Sequence, residues 1–269
     1  MPSSAPTPLP LATLAQELTR FRATRPLVHV LTNEVVQEIT ANVLLAAGAA
    51  PAMIVAQEEV PAFAAIAGAV LINVGTLHSV RLAAMEQAVN AANAAGVPWT
   101  LDPVAVGALK YRTDFCRELI RQKPAAIRGN ASEIMALAGA GMGGRGVDST
   151  SGSDAALDAA RFLAHETGAI VAVTGETDYI TDGKTTLATP WGHPIMTQVV
   201  GTGCALSALV AAFTAGARNR LDAVASACAM AGMAGQHAQK HSQGPGSFKA
   251  AFLDALYHIQ PDNLAEISA

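Results

Sequence analysis

Aromatic side chains are scarce in this chain, 4% of its 269 residues, and no stripe of lysine and arginine runs beside them. A nucleic-acid surface needs a basic track, often interleaved with aromatic stacking platforms, so that class of partner is not expected. The net charge of −4 is mildly acidic, which leaves any ligand phosphates to backbone donors and a few local charges. The three cysteines, Cys116, Cys204 and Cys228, are few and scattered. An odd, dispersed set builds neither a disulfide framework nor a Cys-x-x-Cys metal site, and it points to a reducing cytoplasm. Long hydrophobic runs are missing too. The stretch from Phe63 to Ile72 is far too short to span a bilayer, and no basic residue in Met1-Pro2-Ser3-Ser4-Ala5-Pro6 leads into an apolar core. Neither membrane anchoring nor export is expected.

Three ligand-binding signatures are also absent. A dinucleotide fold would carry Gly-x-Gly-x-x-Gly after its first strand, where this chain has Asn33-Glu34-Val35. The glycine-rich run from Gly139 to Gly146 lacks the Gly-Lys-Ser/Thr ending of a Walker loop and reads as a mobile connector. A nucleophile elbow at Cys204 would need glycine two residues later, where Leu206 stands. His237 and His241 have the i,i+4 spacing of metal ligands, but no glutamate follows His237 as in zincins, so solvated surface histidines are expected.

Half of the chain, 51%, is hydrophobic, enough for one large α/β domain spanning 1–269 behind a disordered Pro/Ser leader over residues 1–8. Leu11, Leu14, Leu18 and Phe21 form a helical stripe. Pro26 to Thr32, Pro51 to Ala56, Val70 to Val74, Pro98 to Val104, Ala125 to Arg128 and Ala169 to Thr174 read as strands separated by alanine-rich helices. Near-continuous apolar strands of this kind suit a parallel sheet covered on both faces. Tyr179 to Thr189, with Asp182-Gly183 in its middle, predicts a hairpin and therefore an antiparallel far edge.

Several strands end in polar or glycine clusters just before a helix: Thr32-Asn33, Asn73-Val74-Gly75-Thr76, Asp102-Pro103, Gly129-Asn130 and Thr174-Gly175-Glu176. Ligands bind at this carboxyl edge in open α/β sheets. The most informative stretch is Val199-Val200-Gly201-Thr202-Gly203-Cys204, followed by an apolar, proline-free run from Ala205 to Ala217 that predicts a helix. Gly201 and Gly203 let a phosphate approach their N–H groups, and the positive end of the helix dipole favours its charge. The same field should lower the pKa of a Cys204 thiol. On spacing alone, Thr202 as an N-cap and Cys204 as a small core residue explain the segment equally well.

Other candidates carry the same ambiguity. Asn130-Ala131-Ser132-Glu133 fits a capping box, and its amide and carboxylate could also organise Mg²⁺ and its waters. Asp102 is a turn former or a second metal carboxylate on the same edge. Arg128 is a surface charge or a phosphate partner, Asn33 a helix cap or a site residue, and Met53 ordinary strand filling or a pocket wall.

The segments taken together resemble those of hydroxyethylthiazole kinases, ribokinase-like enzymes that phosphorylate 4-methyl-5-(2-hydroxyethyl)thiazole for thiamine biosynthesis or salvage. The resemblance rests on Thr32-Asn33 with Thr40-Ala41-Asn42, Ala50-Pro51-Ala52-Met53, Ile72-Asn73-Val74-Gly75-Thr76-Leu77, Pro98 to Val104, Ile127 to Ile134, Gly146-Val147-Asp148-Ser149, Val173-Thr174-Gly175-Glu176, Gly192-His193-Pro194 and Gly201-Thr202-Gly203-Cys204. It implies a three-layer sandwich with a mostly parallel central sheet, helices on both faces and a homotrimer with active sites between subunits. It assigns Met53, Gly201 and Asn33 to the thiazole pocket, Arg128 and Thr174 to ATP, and Cys204, with Gly201, Thr202 and Gly203, to catalysis. Mg²⁺ is implied near Asp102, Asn130 and Glu133, directly or through water. The family often has tyrosine where Glu34 stands, glycine where Ala105 stands, and a less polar pair than Gln37-Glu38. A kinase for hydroxymethylpyrimidine would share the sheet and anion site and differ at the Met53 pocket.

Overall fold

The computed structural model describes residues 5–141 and 152–267. In chain order these form β1 (Thr7–Pro8), α1 (Leu11–Thr24), β2 (Leu27–Leu31), α2 (Gln37–Ala47), β3 (Ala50–Ala52), α3 (Val60–Ile66), β4 (Ala69–Asn73), α4 (Ser79–Ala95) and β5 (Trp99–Asp102). The chain continues as α5 (Lys110–Ile120), β6 (Ala126–Asn130), α6 (Ala131–Gly141), α7 (Gly152–Thr167), β7 (Ile170–Thr174), β8 (Asp178–Thr181) and β9 (Thr186–Thr189). It closes with α8 (Thr202–Thr214), α9 (Arg220–Lys240), α10 (Pro245–His258) and α11 (Leu264–Ile267).

The nine strands form one sheet in the order β1-β9-β8-β7-β6-β5-β4-β2-β3. Strands β2 to β7 pair in parallel, and β8 and β9 form the antiparallel hairpin, with Gly183 turning at φ +91°. The period of two along each strand sends alternate side chains to opposite cores. Val28, Val30, Ala69 and Leu71 face a layer containing Phe21, Val43, Leu209, Met230 and Phe248, from α1, α2, α8, α9 and α10. Leu31, Val70 and Ile72 face the layer of Val60, Met85, Phe115, Leu137 and Leu163, from α3 to α7. Full burial of each such side chain contributes about 1.5–3 kcal/mol, which is how a three-layer sandwich with few aromatics holds together.

Three expectations change. Strand β3 stops at Ala52 where the sequence suggests a strand from Pro51 to Ala56, because its pairing with β2 ends there and Met53 to Ala56 lie outside the sheet. The leader is not wholly irregular, because Thr7 and Pro8 pair with Leu187 and Ala188 and Leu9 N–H donates to Ala188 O at 3.0 Å. Strand β9 would otherwise present an open edge, and even a proline-containing segment can cover one. In the glycine-rich run, residues 139–141 end α6 rather than starting a loop. The rest of that run, with the Gly146 to Ser149 motif, lies outside the described residues.

Candidate active site

The site grows from the carboxyl edge of the parallel strands. Asn73 ends β4 directly opposite Asp102 at the end of β5, and Asn130 ends β6 opposite Thr174 at the end of β7. Helix α8 points its N-terminus at this edge. Its residues Ala205 to Thr214 are all buried, and its carbonyl end is closed by Arg20, which donates to Phe213 O at 2.6 Å and Ala215 O at 2.5 Å. At the other end the N-cap is Gly201, with no side-chain cap. The first N–H groups of α8 therefore have no intrahelical acceptor and face the sheet edge. Gly201 is required there twice over: its φ is +92°, and a Cβ on it would sit 2.5 Å from Ile39 Cγ2 and 3.0 Å from Val36 Cγ1. Thr202 is not the cap. Its hydroxyl donates to Met196 O at 2.9 Å, fastening the 3-10 turn Pro194–Gln198 beneath the helix start.

A chain of hydrogen bonds ties the strand ends to Cys204. Asn73 Nδ2 donates to Asp102 Oδ2 at 2.6 Å, while Asn73 Oδ1 accepts from Gly75 N–H at 3.0 Å and from Asn33 Nδ2 at 3.1 Å. Asn33 Nδ2 also lies 3.4 Å from Cys204 Sγ, and Asn33 Oδ1 accepts from Val35 N–H at 3.2 Å. Asn33 thus caps the turn Glu34–Val36 and reaches the site as well. Asp102 is 1% exposed, and burial pushes its carboxyl up to about 6 against the opposing pull of Arg128 and of hydrogen bonds from Ser207 and Asn73. The Cys204 thiol is raised above its ordinary value, first by burial and then by the Asp102 carboxylate. The expected lowering by the helix dipole is overridden, because desolvating a thiolate beside a carboxylate costs more than one helix end supplies.

Arg128 sits where α8 and the sheet meet. Its Nη2 donates to Thr174 Oγ1, and its Nη1 lies 3.0 Å from where a Cβ on Gly203 would stand. Asp178, buried and pushed up to about 6 by burial, is pulled back by Gly175 N–H, which it accepts at 2.9 Å, and by Arg128. The Arg128 Nε has no hydrogen-bond partner, so the guanidinium is held in place with donor capacity to spare. Alongside, the capping box is present in both directions: Glu133 N–H donates to Asn130 Oδ1 at 3.0 Å, and Asn130 N–H donates to Glu133 Oε2 at 2.9 Å. Glu133 Oε1 additionally accepts from Ala105 N–H at 3.0 Å, with Ala105 at φ +61°. Both oxygens of Glu133 are already engaged, and among the described residues no three His, Cys, Asp or Glu side chains converge on a common point. Met53 follows β3 and, like Cys204, packs half-buried against the core that contains Val36 and Ile39.

The family profile for the hydroxyethylthiazole kinase family matches residues 18–262. This chain belongs to the hydroxyethylthiazole kinase family. A hydroxyethylthiazole kinase of Tolumonas auensis is 59% identical over 266 residues, 98% of this chain and 100% of that one. The solved hydroxyethylthiazole kinase protein of Pyrococcus horikoshii OT3 superposes with a TM-score of 0.86 at 40% identity, covering 92% of this chain and 93% of that one. A ribokinase-like superfamily protein of Enterococcus faecalis, 12% identical over 93% of this chain and 95% of its own, shares the fold with a TM-score of 0.64. A family kinase with a ribokinase-like sheet is therefore what these strands and helices build.

The structure brings Asn33, Asp102, Arg128, Thr174, Gly201, Gly203 and Cys204 to one edge, as the sequence suggested. His237, in the last turn of α9, and His241, its C-cap, stand apart, with their rings tilted by 44° and centroids 4.6 Å apart. Ser207 and Asp178 carry no sequence signal of a role, and Asn73, one of the polar strand ends, gains its role only from the structure, where these three support Asp102 and Arg128. The register of Asn73 with Asp102 depends on strand pairing. Nothing local marks Ser207, one turn into an apolar helix.

Proposed function

We propose that this kinase transfers the γ-phosphoryl group of ATP to the primary hydroxyl of 4-methyl-5-(2-hydroxyethyl)thiazole, a step of thiamine biosynthesis or salvage. The observation that carries the reading is the uncapped N-terminus of α8 with Arg128 against Gly203, on the edge that also holds Asn33, Cys204 and Asp102. Phosphoryl transfer needs positioning and neutralisation of charge on the transferring oxygens more than covalent help. The N–H groups of Thr202, Gly203 and Cys204, together with Arg128, supply preorganised donors for that charge. Arg128 and Thr174 hold ATP. Met53, Gly201 and Asn33 form the thiazole pocket, and Cys204 stands beside the reacting hydroxyl. A thiol raised above its ordinary value is a weak acceptor of the hydroxyl proton, so the donors outweigh it.

A desolvated carboxylate with a raised pKa gains from a nearby cation, and Asp102 fits Mg²⁺ in that respect. Asn130 and Glu133, engaged in their cap, would help hold the ion, directly or through water. Mg²⁺, which prefers a few protein oxygens with waters and phosphates, would supply charge neutralisation there. Val35, two residues past Asn33, Val55, two past Met53, and Val200, next to Gly201, are exposed apolar side chains. Exposed apolar surface next to residues assigned to the pocket supports a homotrimer in which a neighbour walls the site. Free thiols at Cys116, Cys204 and Cys228, together with the finding that no described helix is long and apolar enough to cross a membrane, support a cytoplasmic enzyme.

The test is ADP release by purified protein with Mg²⁺, ATP and the thiazole alcohol, compared with a pyrimidine alcohol. Turnover confined to the thiazole is expected, and preference for the pyrimidine overturns the acceptor assignment. Sedimentation at assay concentration should show a trimer, and a fully active monomer would contradict the shared site.

A further inference from the structure

His29 lies in the middle of β2, fully buried, and outside every group assigned above. Its position opposite Ala52 is the last paired register between β2 and β3, one residue before Met53. Beyond that pair its side chain carries the connection: Nε2 lies 2.8 Å from Ile54 O. A carbonyl only accepts, so Nε2 bears the proton and Nδ1 is the lone-pair nitrogen. Nδ1 is buried without a partner, and the ring packs edge-on against Phe63 with centroids 5.1 Å apart. Burial lowers the ring's pKa below its ordinary value, opposed by the bond to the Ile54 carbonyl.

An isoleucine or leucine would fill this space without leaving a nitrogen unsatisfied, as Leu31, two residues on in β2, does in the same core. A histidine that costs an orphaned acceptor is explained by the bond it makes. That bond fixes the backbone one residue past Met53, where β3 has already ended and Val55 is exposed. We propose that His29 is a positioning residue for the acceptor pocket, holding the Ile54 carbonyl so that Met53 presents its side chain to the thiazole. The inference rests on the placement of Met53 in that pocket. Protonating Nδ1 would put an unpaired cation in the core, so the strut works only with a neutral ring.

The experiment compares KM for the thiazole alcohol, KM for ATP and kcat in wild type, His29→Leu, His29→Gln and Met53→Ala. Removing the donor in His29→Leu should raise KM for the thiazole roughly 5- to 10-fold, the size of one net hydrogen bond, with KM for ATP and kcat little changed. His29→Gln places an amide nitrogen near the Nε2 position and should recover most of that loss. Wild type should show thiazole KM rising as the pH falls below the ordinary histidine range, and the rise should be smaller in His29→Gln, where only groups common to both proteins, such as Asp102, still titrate. This pH arm needs no leucine variant to fold. Unchanged thiazole KM in His29→Leu, with Met53→Ala raising it, overturns the positioning role alone. Unchanged values in both overturn the pocket placement and the inference with it. An acid-side rise as large in His29→Gln as in wild type, or an equal loss in KM for ATP, also overturns it.

Discussion

Replacing Gly203 by alanine adds a single methyl group at the point where α8, Arg128 and the transferred phosphate are expected to meet. Gly203 lies within the helix, outside the left-handed region, so the backbone accepts alanine without strain. Helix propensity alone favours the change by up to about 1 kcal/mol. The new Cβ would stand 3.0 Å from Arg128 Nη1 and 3.4 Å from Nη2, so the guanidinium must yield by a few tenths of an ångström. It is tied to Thr174 Oγ1, and a charged hydrogen bond of that kind contributes about 1.5–3 kcal/mol. The methyl also crowds the N–H groups a phosphate would use, each worth about 10²- to 10³-fold in kcat. The helix gain and the disturbed Arg128 bond oppose each other, so Tm should stay within roughly 4 °C of wild type, with kcat down on the order of 100-fold and KM for ATP raised. Gly201→Ala is the contrasting control: strain at φ +92° and the clash with Ile39 should cost about 2–5 kcal/mol of stability. Thermal melts and steady-state kinetics measure both. Wild-type kcat and ATP KM in a folded Gly203→Ala protein would refute phosphate binding at this helix end.

Asp102→Asn should stabilise the protein above neutral pH while lowering kcat. The folded pKa of about 6 lies above the ordinary 3.8, so ionisation opposes folding as pH rises through that window. The cost reaches up to about 3 kcal/mol at pH 8 and falls to about 0.5 kcal/mol near pH 4, and urea melts at the two values check the sign. Glu133→Gln keeps one of two accepted backbone bonds, so it should lose about 1 kcal/mol of stability and also turnover, with excess Mg²⁺ restoring only part of the rate. Loss of stability with full turnover would leave Glu133 as a cap alone. Ala105→Gly relieves φ +61° and should raise stability by up to about 1 kcal/mol without changing kinetics. Cys204→Ala should retain catalysis well above background because the backbone donors remain, with a loss no larger than the roughly 10²- to 10⁴-fold typical of a general base. Complete inactivity would make the thiol the main catalytic group.

The parallel sheet was legible because its strands are short apolar runs punctuated by polar ends, and a buried strand tolerates little else. The same punctuation located Asn33, Asp102, Arg128, Thr174 and the glycines of α8 on one edge. What was not legible depended on three-dimensional neighbours. Thr202 has the composition of an N-cap, yet its hydroxyl is drawn to Met196 O by a turn that local spacing does not reveal. Cys204 sits in the first turn of a helix, which lowers a thiol pKa in isolation, but Asp102 and the depth of the site come from other strands. Thr7 and Pro8 look like a free leader until β9 leaves an edge for them. Asn130 and Glu133 fit two chemistries by spacing, and the cap is the one formed within the chain.

The most direct measurement is a crystal structure with Mg²⁺, a non-hydrolysable ATP analogue and the thiazole alcohol bound together. The terminal phosphate should lie within hydrogen-bonding distance of the N–H groups of Thr202, Gly203 and Cys204 and of Arg128. The alcohol oxygen should point at that phosphate from beside Cys204, with the thiazole ring on Met53. A terminal phosphate bound away from the α8 N-terminus, or a thiazole bound away from Met53, would contradict the proposed site.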